Sequence, residues 1–168
     1  MTAGEMLTRW TVRAALLLYA ATLAVRLAAP SRRRIARLLW TAGCVVFLAH
    51  VAAAFHFFHG WSHAHAYHET ARRTADMFGT YWGGGLYLNY LFTLAWAADA
   101  AWWWGVGIDE YERRPRWVVI ALQAFMFFMA FNATVVFGHG WVRLLGLGGS
   151  AALAVSLVWH SRQNRGAN

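Results

Sequence analysis

The stretch "TAGCVVFLAHVAAAFHFFHGW", residues 41–61, decides the fold because it lies in the longest apolar segment of the chain. That segment runs from about residue 35 to 58, and beyond Arg37 it contains no Asp, Glu, Lys or Arg. A helix needs about 20 apolar residues to cross a bilayer. The stretch therefore predicts a transmembrane helix that ends at His59-Gly60-Trp61.

Four further apolar segments approach the same length, at about 10–29, 84–104, 117–137 and 142–159. The chain is 60% hydrophobic, only 13% charged, and holds 11 tryptophans among 168 residues. This composition is typical of membrane proteins. We therefore predict an all-α, polytopic integral membrane bundle of five transmembrane helices that forms a single domain over residues 1–168. The first segment also fits a signal peptide, but we expect it to be retained as a span.

The orientation follows from the arginines, which supply all 15 basic residues of the chain. Loops on the cytoplasmic side of a membrane carry more Lys and Arg than loops on the other side. The more basic loops are those that follow the first, third and fifth segments, so we predict an outer N-terminus and an inner C-terminus. Ten of the 11 tryptophans fall near span ends, as interfacial rings do, and Trp96 is the exception. We expect the location to be a bacterial inner membrane.

Between the second and third segments lies an outer loop whose pattern predicts a short surface helix at about residues 63–78. Ser62 is a good N-cap and Gly79 a good helix end. Charged residues on one side of this helix are spaced for the i,i+4 ion pairs Glu69–Arg73 and Arg72–Asp76.

Five of the eight histidines lie between residues 55 and 69, and the tripeptide His-Gly-Trp recurs at residues 139–141. Both copies end spans that run outward, so His59 and His139 are expected at the same depth. On an ideal helix His56 shares the face of His59, and His63 extends that face. Imidazole binds zinc, copper and haem iron. We predict a metal site (copper or zinc) at the outer face formed by His56, His59, His63 and His139, or a haem b held by His59 and His139 with His56 nearby.

Other polar groups are accessory candidates for the same site or for ordinary packing. A deeper polar pocket is predicted from Asn89, Asn132 and His50. Asp99 is the only acidic residue deep in a span and is a candidate functional group by default. Its ordinary partner is expected to be Arg26 or Arg37. The surface helix adds three accessory candidates, namely His65, His68 and Glu69.

Several chemistries are excluded by the sequence. Without lysine, no lysine Schiff base can form, and the single Cys44 can form no internal disulfide and cannot build a thiolate metal site alone. The glycines at 83–85 are not followed by Lys-Ser or Lys-Thr, so they are not a phosphate loop. The arginines cluster between apolar segments, which favours membrane placement and not nucleic-acid binding.

Three functional hypotheses remain from the sequence. The first is a membrane subunit that holds a metal ion or b-type haem for electron transfer or metal handling. The second is a structural or assembly subunit that packs against other membrane subunits or further copies of itself. The third is a small metal-dependent membrane enzyme, which ranks last because only Glu69 is evident as an acid–base partner.

Overall fold

The structure is a computed structural model that describes residues 2–136, and every regular element in that range is a helix. The predicted all-α class is therefore confirmed for these residues, whereas the predicted fifth span, 142–159, lies outside them. The six α-helices are α1 (Ala3–Ala28), α2 (Arg33–Ala54), α3 (His63–Phe78), α4 (Gly85–Val106), α5 (Ile108–Glu112) and α6 (Arg116–Phe131). Two π-helical segments follow α2 and α6, the first at Phe55–His59 and the second at Asn132–Val136.

Three helical stretches in the described range are long and apolar enough to cross a membrane: Ala3–Ala28, Arg33–His59 and Arg116–Val135. They coincide with the first, second and fourth predicted spans. α4, at the place of the third, has 22 residues and is long enough. Its mean hydropathy is lower because it contains Asn89 and Asp99 and many Tyr and Trp rings. The chain is thus indicated to be a membrane protein.

The chain divides into two compact units, one ending at Pro115 and the other beginning at Arg116. In the first unit, α2 packs against both α1 and α4, and α3 packs against α4 and the first π-segment. The second unit contains α6 and the second π-segment.

An aromatic core joins the three long helices of the first unit. Trp96 of α4 is only 2% exposed, and its ring lies 5.2 Å from that of Trp40 and 5.7 Å from that of Phe47. Gly43 of α2 makes room for it, because a Cβ there would lie 2.8 Å from the Trp96 ring. This packing explains why Trp96 departs from the interfacial pattern of the other tryptophans. It is a core residue that fixes α4 against α2.

The first unit has two chemically different ends. At one end the start of α1 meets the end of α2, where the carbonyl oxygen of Thr8 lies 2.9 Å from Nδ1 of His50. At the other end, Arg26 of α1 pairs with Glu112 of α5 at 3.0 Å, and Arg33 of α2 pairs with Asp109 at 2.8 Å. The histidine-rich segment lies at the first end and α5 at the second.

Asp99 does not pair with Arg26 or Arg37, and that prediction was wrong. Its carboxylate accepts hydrogen bonds from Nη1 of Arg114 and from the Tyr111 hydroxyl, each at 2.6 Å. The chain folds back after α4, and the ring of Tyr111 stacks on Trp103 with 4.2 Å between centroids. This return brings Arg114 to the carboxylate. Burial raises the pKa of Tyr111, and the hydrogen bond donated to Asp99 raises it further.

Candidate metal site at the histidine turn

The first π-segment changes the positions of the histidines relative to an ideal α-helix. Residues Phe55–His59 form a π-helical turn, which is wider than an α-turn because its hydrogen bonds run over five residues. Residues three apart therefore no longer share one face. The ring of His56 contacts Phe57 at 4.7 Å between centroids, and His56 is exposed. The pattern of an ideal α-helix had placed His56 and His59 on one face, and the π-helical turn separates them.

The His-Gly-Trp tripeptide forms a tight left-handed turn. Gly60 has φ 54° and Trp61 has φ 58°, and a positive φ is unusual for a residue with a side chain. The amide of Trp61 donates to the carbonyl of Phe55 at 3.0 Å, and the amide of Ser62 donates to that of His59 at 2.9 Å. These bonds end the π-segment and reverse the chain within a few residues. Strained backbone of this kind is often found at functional sites.

α3 begins immediately after the turn. The Ser62 hydroxyl accepts a hydrogen bond from the amide of His65 at 3.2 Å, as expected for the predicted N-cap. Gly79, in the left-handed conformation, ends the helix. The reversal and the cap together place the His65 ring 5.6 Å from that of His59, with an interplanar angle of 75°. His59 and His65, which we call the histidine pair, are thus brought together by the turn.

His59 is half-buried, and its Nδ1 atom is shielded from solvent with no hydrogen-bond partner among the described residues. A buried polar atom without a partner is uncommon in folded proteins and calls for a physical explanation. His65 is exposed, so its imidazole is accessible from solvent. The pair therefore combines one shielded nitrogen with one open ring.

Two charged residues of α3, Glu69 and Arg73, act electrostatically on His59. Glu69 interacts electrostatically with His59 and accepts a hydrogen bond from Nε of Arg73 at 3.1 Å. This bond lowers the pKa of the Glu69 carboxyl, which is therefore ionised at neutral pH. Arg72 also pairs with Glu69, at 3.4 Å, whereas the sequence had predicted a pair with Asp76.

Other histidines are hydrogen-bonded to groups on neighbouring elements. Nδ1 of His63 lies 3.0 Å from the hydroxyl of Tyr90 on α4, and Nδ1 of His68 lies 3.0 Å from that of Tyr81. Nδ1 of His50 lies within hydrogen-bond distance of the Thr8 carbonyl oxygen on α1, as described above. These contacts account for one nitrogen in each ring and connect α3 with α4 and the loop before it.

The two asparagines differ in their surroundings. Asn89 is exposed on α4. The Asn132 side chain donates to the carbonyl of Phe128 in its own helix at 2.8 Å. The deeper polar pocket predicted from Asn89, Asn132 and His50 stays a prediction.

Within residues 2–136, no group of three or more His, Cys, Asp or Glu side chains is placed to hold a metal ion. The described residues supply a pair of imidazoles. His139 of the second His-Gly-Trp was predicted to contribute a further ligand. It lies outside the described residues, so its predicted closeness to His59 stays a prediction.

The second π-segment extends the similarity between the two His-Gly-Trp ends. Asn132–Val136 ends shortly before His139, as Phe55–His59 ends at the first copy. Two spans with the same terminal tripeptide thus change from α- to π-geometry near it. π-helical turns are rare and are frequently found at functional sites.

Sequence reasoning placed His65 among the accessory residues, although its ring lies next to that of His59. The helical pattern assigned it to the polar side of a surface helix, and the direction of that helix was not known. The signal that could have located it is the combination of Gly60 with the Ser62 cap. A left-handed glycine followed directly by an N-cap indicates an abrupt reversal.

Comparisons with protein-family models, with curated proteins and with solved structures found no match to this chain.

Proposed function

We propose that this chain is a membrane protein that binds one transition-metal ion at a membrane surface, with His59 and His65 as two of the ligands. Two observations carry the proposal: Nδ1 of His59 is shielded and has no hydrogen-bond partner among the described residues, and the His59 ring lies next to that of His65. Two imidazoles on one tetrahedral zinc have ring centroids roughly 5–6 Å apart, since each nitrogen lies about 2.0–2.1 Å from the ion. The observed 5.6 Å is compatible with a shared ion.

The surroundings suit a cation bound at the end of a span. The carboxylate of Glu69 supplies negative charge near His59, and Arg73 offsets it because it acts on the same ring. Imidazole nitrogen is a favourable ligand for zinc and copper. His139 is the proposed third ligand, because the repeated tripeptide is expected to end two spans at one depth. A b-type haem, the other cofactor expected from the sequence, depends entirely on His139 as its second ligand.

The proposed arrangement in the membrane has five spans, an outer N-terminus and an inner C-terminus. The histidine pair then lies at the outer face of a bacterial inner membrane. The distribution of arginines supports this orientation. The apolar helices support lipid contact, because at most 22% of the residues in their most apolar stretches are buried.

A structural or assembly subunit is the second candidate, and α4 favours it. This helix is long enough to span a membrane but carries Asn89 and exposed Tyr87, which is 55% exposed. Polar groups on a spanning helix favour helix–helix contact over lipid contact. Another membrane subunit or a second copy of this chain is the expected neighbour.

Elemental analysis and an absorption spectrum of the chain purified without added metal test the proposal. We expect zinc or copper close to one ion per chain and no Soret band. A Soret band would show that the cofactor is haem and not a single metal ion. If neither bound metal nor a Soret band were found, the structural subunit would be the remaining function. His160→Ala is the control variant, because His160 follows the predicted fifth span at the inner face and is expected to leave bound metal unchanged.

A further inference from the structure

A basic cavity lies at the opposite end of the first unit from the histidine pair. It has a volume of about 80 Å³ and opens between the end of α1, the start of α2 and α5. One water molecule needs ~10–15 Å³ of such space, so the cavity admits a small polar group. Its lining residues are Arg26, Ala29, Pro30, Arg32, Arg33, Ala36 and Glu112.

Positive charge predominates in this cavity, since three arginines face one carboxylate. Arg26 pairs with Glu112, and Arg33 pairs with the exposed Asp109. Arg32 takes part in none of the ion pairs formed within residues 2–136. Its guanidinium is therefore available to an anion from outside the chain.

The start of α2 adds hydrogen-bond donors to the same cavity. Arg32 is the N-cap residue, and its side chain makes no capping hydrogen bond. The amides of the first helical turn lack partners within the helix, and the helix dipole makes this end attractive to anions. Phosphate is bound in this way at many helix starts.

The position of the cavity at the ends of two candidate membrane spans indicates which molecule carries the anion. α1 and α2 are both candidate membrane spans, and the cavity lies where one ends and the other begins. Leu27 is 65% exposed and Leu38 56% exposed, each within two residues of a residue that lines the cavity. Apolar surface beside a cluster of arginines at a span end fits a phospholipid, with its acyl chains along the helices and its phosphate among the arginines.

We infer that this cavity binds the phosphate of an anionic phospholipid headgroup. Arg32 holds the phosphate oxygens, together with the first amides of α2, and Arg33 adds positive charge beside them while it is paired with Asp109. Glu112 competes for Arg26 and limits the affinity. This inference rests on insertion of α1 and α2 in a membrane and is independent of the proposed metal site.

The test is native mass spectrometry of the full chain in neutral detergent, titrated with phosphatidylglycerol or phosphatidylcholine of identical acyl chains. We expect phosphatidylglycerol to bind at least fivefold more tightly. Arg32→Gln and Arg33→Gln should each weaken phosphatidylglycerol binding about fivefold and leave phosphatidylcholine binding unchanged. Arg34→Gln is the matched control, because it removes the same charge from a residue that does not line the cavity.

A variant that binds the lipid more tightly distinguishes an effect on binding from a loss of folding, because a damaged fold would not gain affinity. Glu112→Gln frees the Arg26 guanidinium and removes a competing charge, so it should bind phosphatidylglycerol several-fold more tightly than the parent. Equal binding of the two lipids, or an equal loss in Arg34→Gln, would overturn the inference. Glycerol phosphate in excess should displace little lipid, and complete displacement would instead make this a site for free phosphate.

Discussion

Asp99 and Arg114 form the most buried ion pair among the described residues, with side chains 5% and 2% exposed. Both carboxylate oxygens accept a hydrogen bond, one from Arg114 and the other from Tyr111. The guanidinium also lies over the Tyr111 ring at 3.7 Å. The pair joins α4 to the segment that follows α5, so removing one partner leaves a buried charge without compensation.

We expect Asp99→Leu to destabilise the protein by ~3–5 kcal/mol, because the guanidinium of Arg114 then stays buried and unpaired. Asp99→Asn should cost less, since its amide oxygen can still accept a hydrogen bond. The double variant Asp99→Leu/Arg114→Met should recover much of the loss, as apolar replacements of whole buried pairs often do. Thermal unfolding in detergent, followed by circular dichroism, measures these differences.

Asp109→Asn is the matched control for the buried pair. It removes a carboxylate from an ion pair in which Asp109 is 79% exposed, and such pairs contribute only ~0–1 kcal/mol. If Asp99→Leu unfolded at the same temperature as Asp109→Asn, Asp99 would have no stabilising role in the fold.

At the scale of elements, the reversal between the first π-segment and α3 positions the histidine pair. Gly60 and Gly105 provide a matched test of this turn, since an added Cβ would meet no atom within 4 Å at either position. They differ in backbone conformation, because Gly60 has φ 54° whereas Gly105 lies within α4.

Gly60→Ala should lower the free energy of unfolding by ~1–2 kcal/mol, because a left-handed conformation is unfavourable for a residue with a Cβ. Gly105→Ala should raise it by ~0.4–1 kcal/mol, since alanine can adopt the helical conformation of this position near the end of α4 and has fewer conformations in the unfolded chain. Chemical denaturation of both variants gives the comparison. A Gly60→Ala protein as stable as the parent would contradict the described turn.

The local features of α3 could be predicted from the sequence, whereas its neighbours could not. Ser62 and Gly79 act within one or two turns of chain, so their roles follow from local chemistry. The π-helical geometry of Phe55–His59 has no comparable local signature, and it changed the expected partner of His59.

Long-range contacts show the same limit. An arginine such as Arg26 or Arg37 was expected as the partner of Asp99. Arg114 lies beyond α4, and only the folding back of α5 onto Trp103 brings it to the carboxylate. The order of residue types along the chain does not indicate that α5 folds back onto α4.

At the scale of the whole molecule, the two ends of the first unit are predicted to lie on opposite sides of the membrane. Single cysteines introduced at Thr80 and Glu110 in a Cys44→Ala background test this. Both positions are exposed; Thr80 follows α3, and Glu110 lies in α5. An impermeant thiol reagent applied to intact cells should label the cysteine at position 80 and leave the one at position 110 unlabelled. Labelling of position 110 alone would reverse the proposed orientation, and equal labelling would contradict opposite sides.

The most direct test of the central claim is a zinc titration of the purified chain in detergent, with the affinity and stoichiometry compared across three variants. The account predicts one bound ion per chain and a loss of affinity of about 100-fold or more in both His59→Ala and His65→Ala, because each removes a direct ligand. His68→Ala should bind as the parent does, since its Nδ1 lies 3.0 Å from the hydroxyl of Tyr81 and the ring is not a proposed ligand. Unchanged affinity in either His59→Ala or His65→Ala would contradict a metal ion shared by the histidine pair.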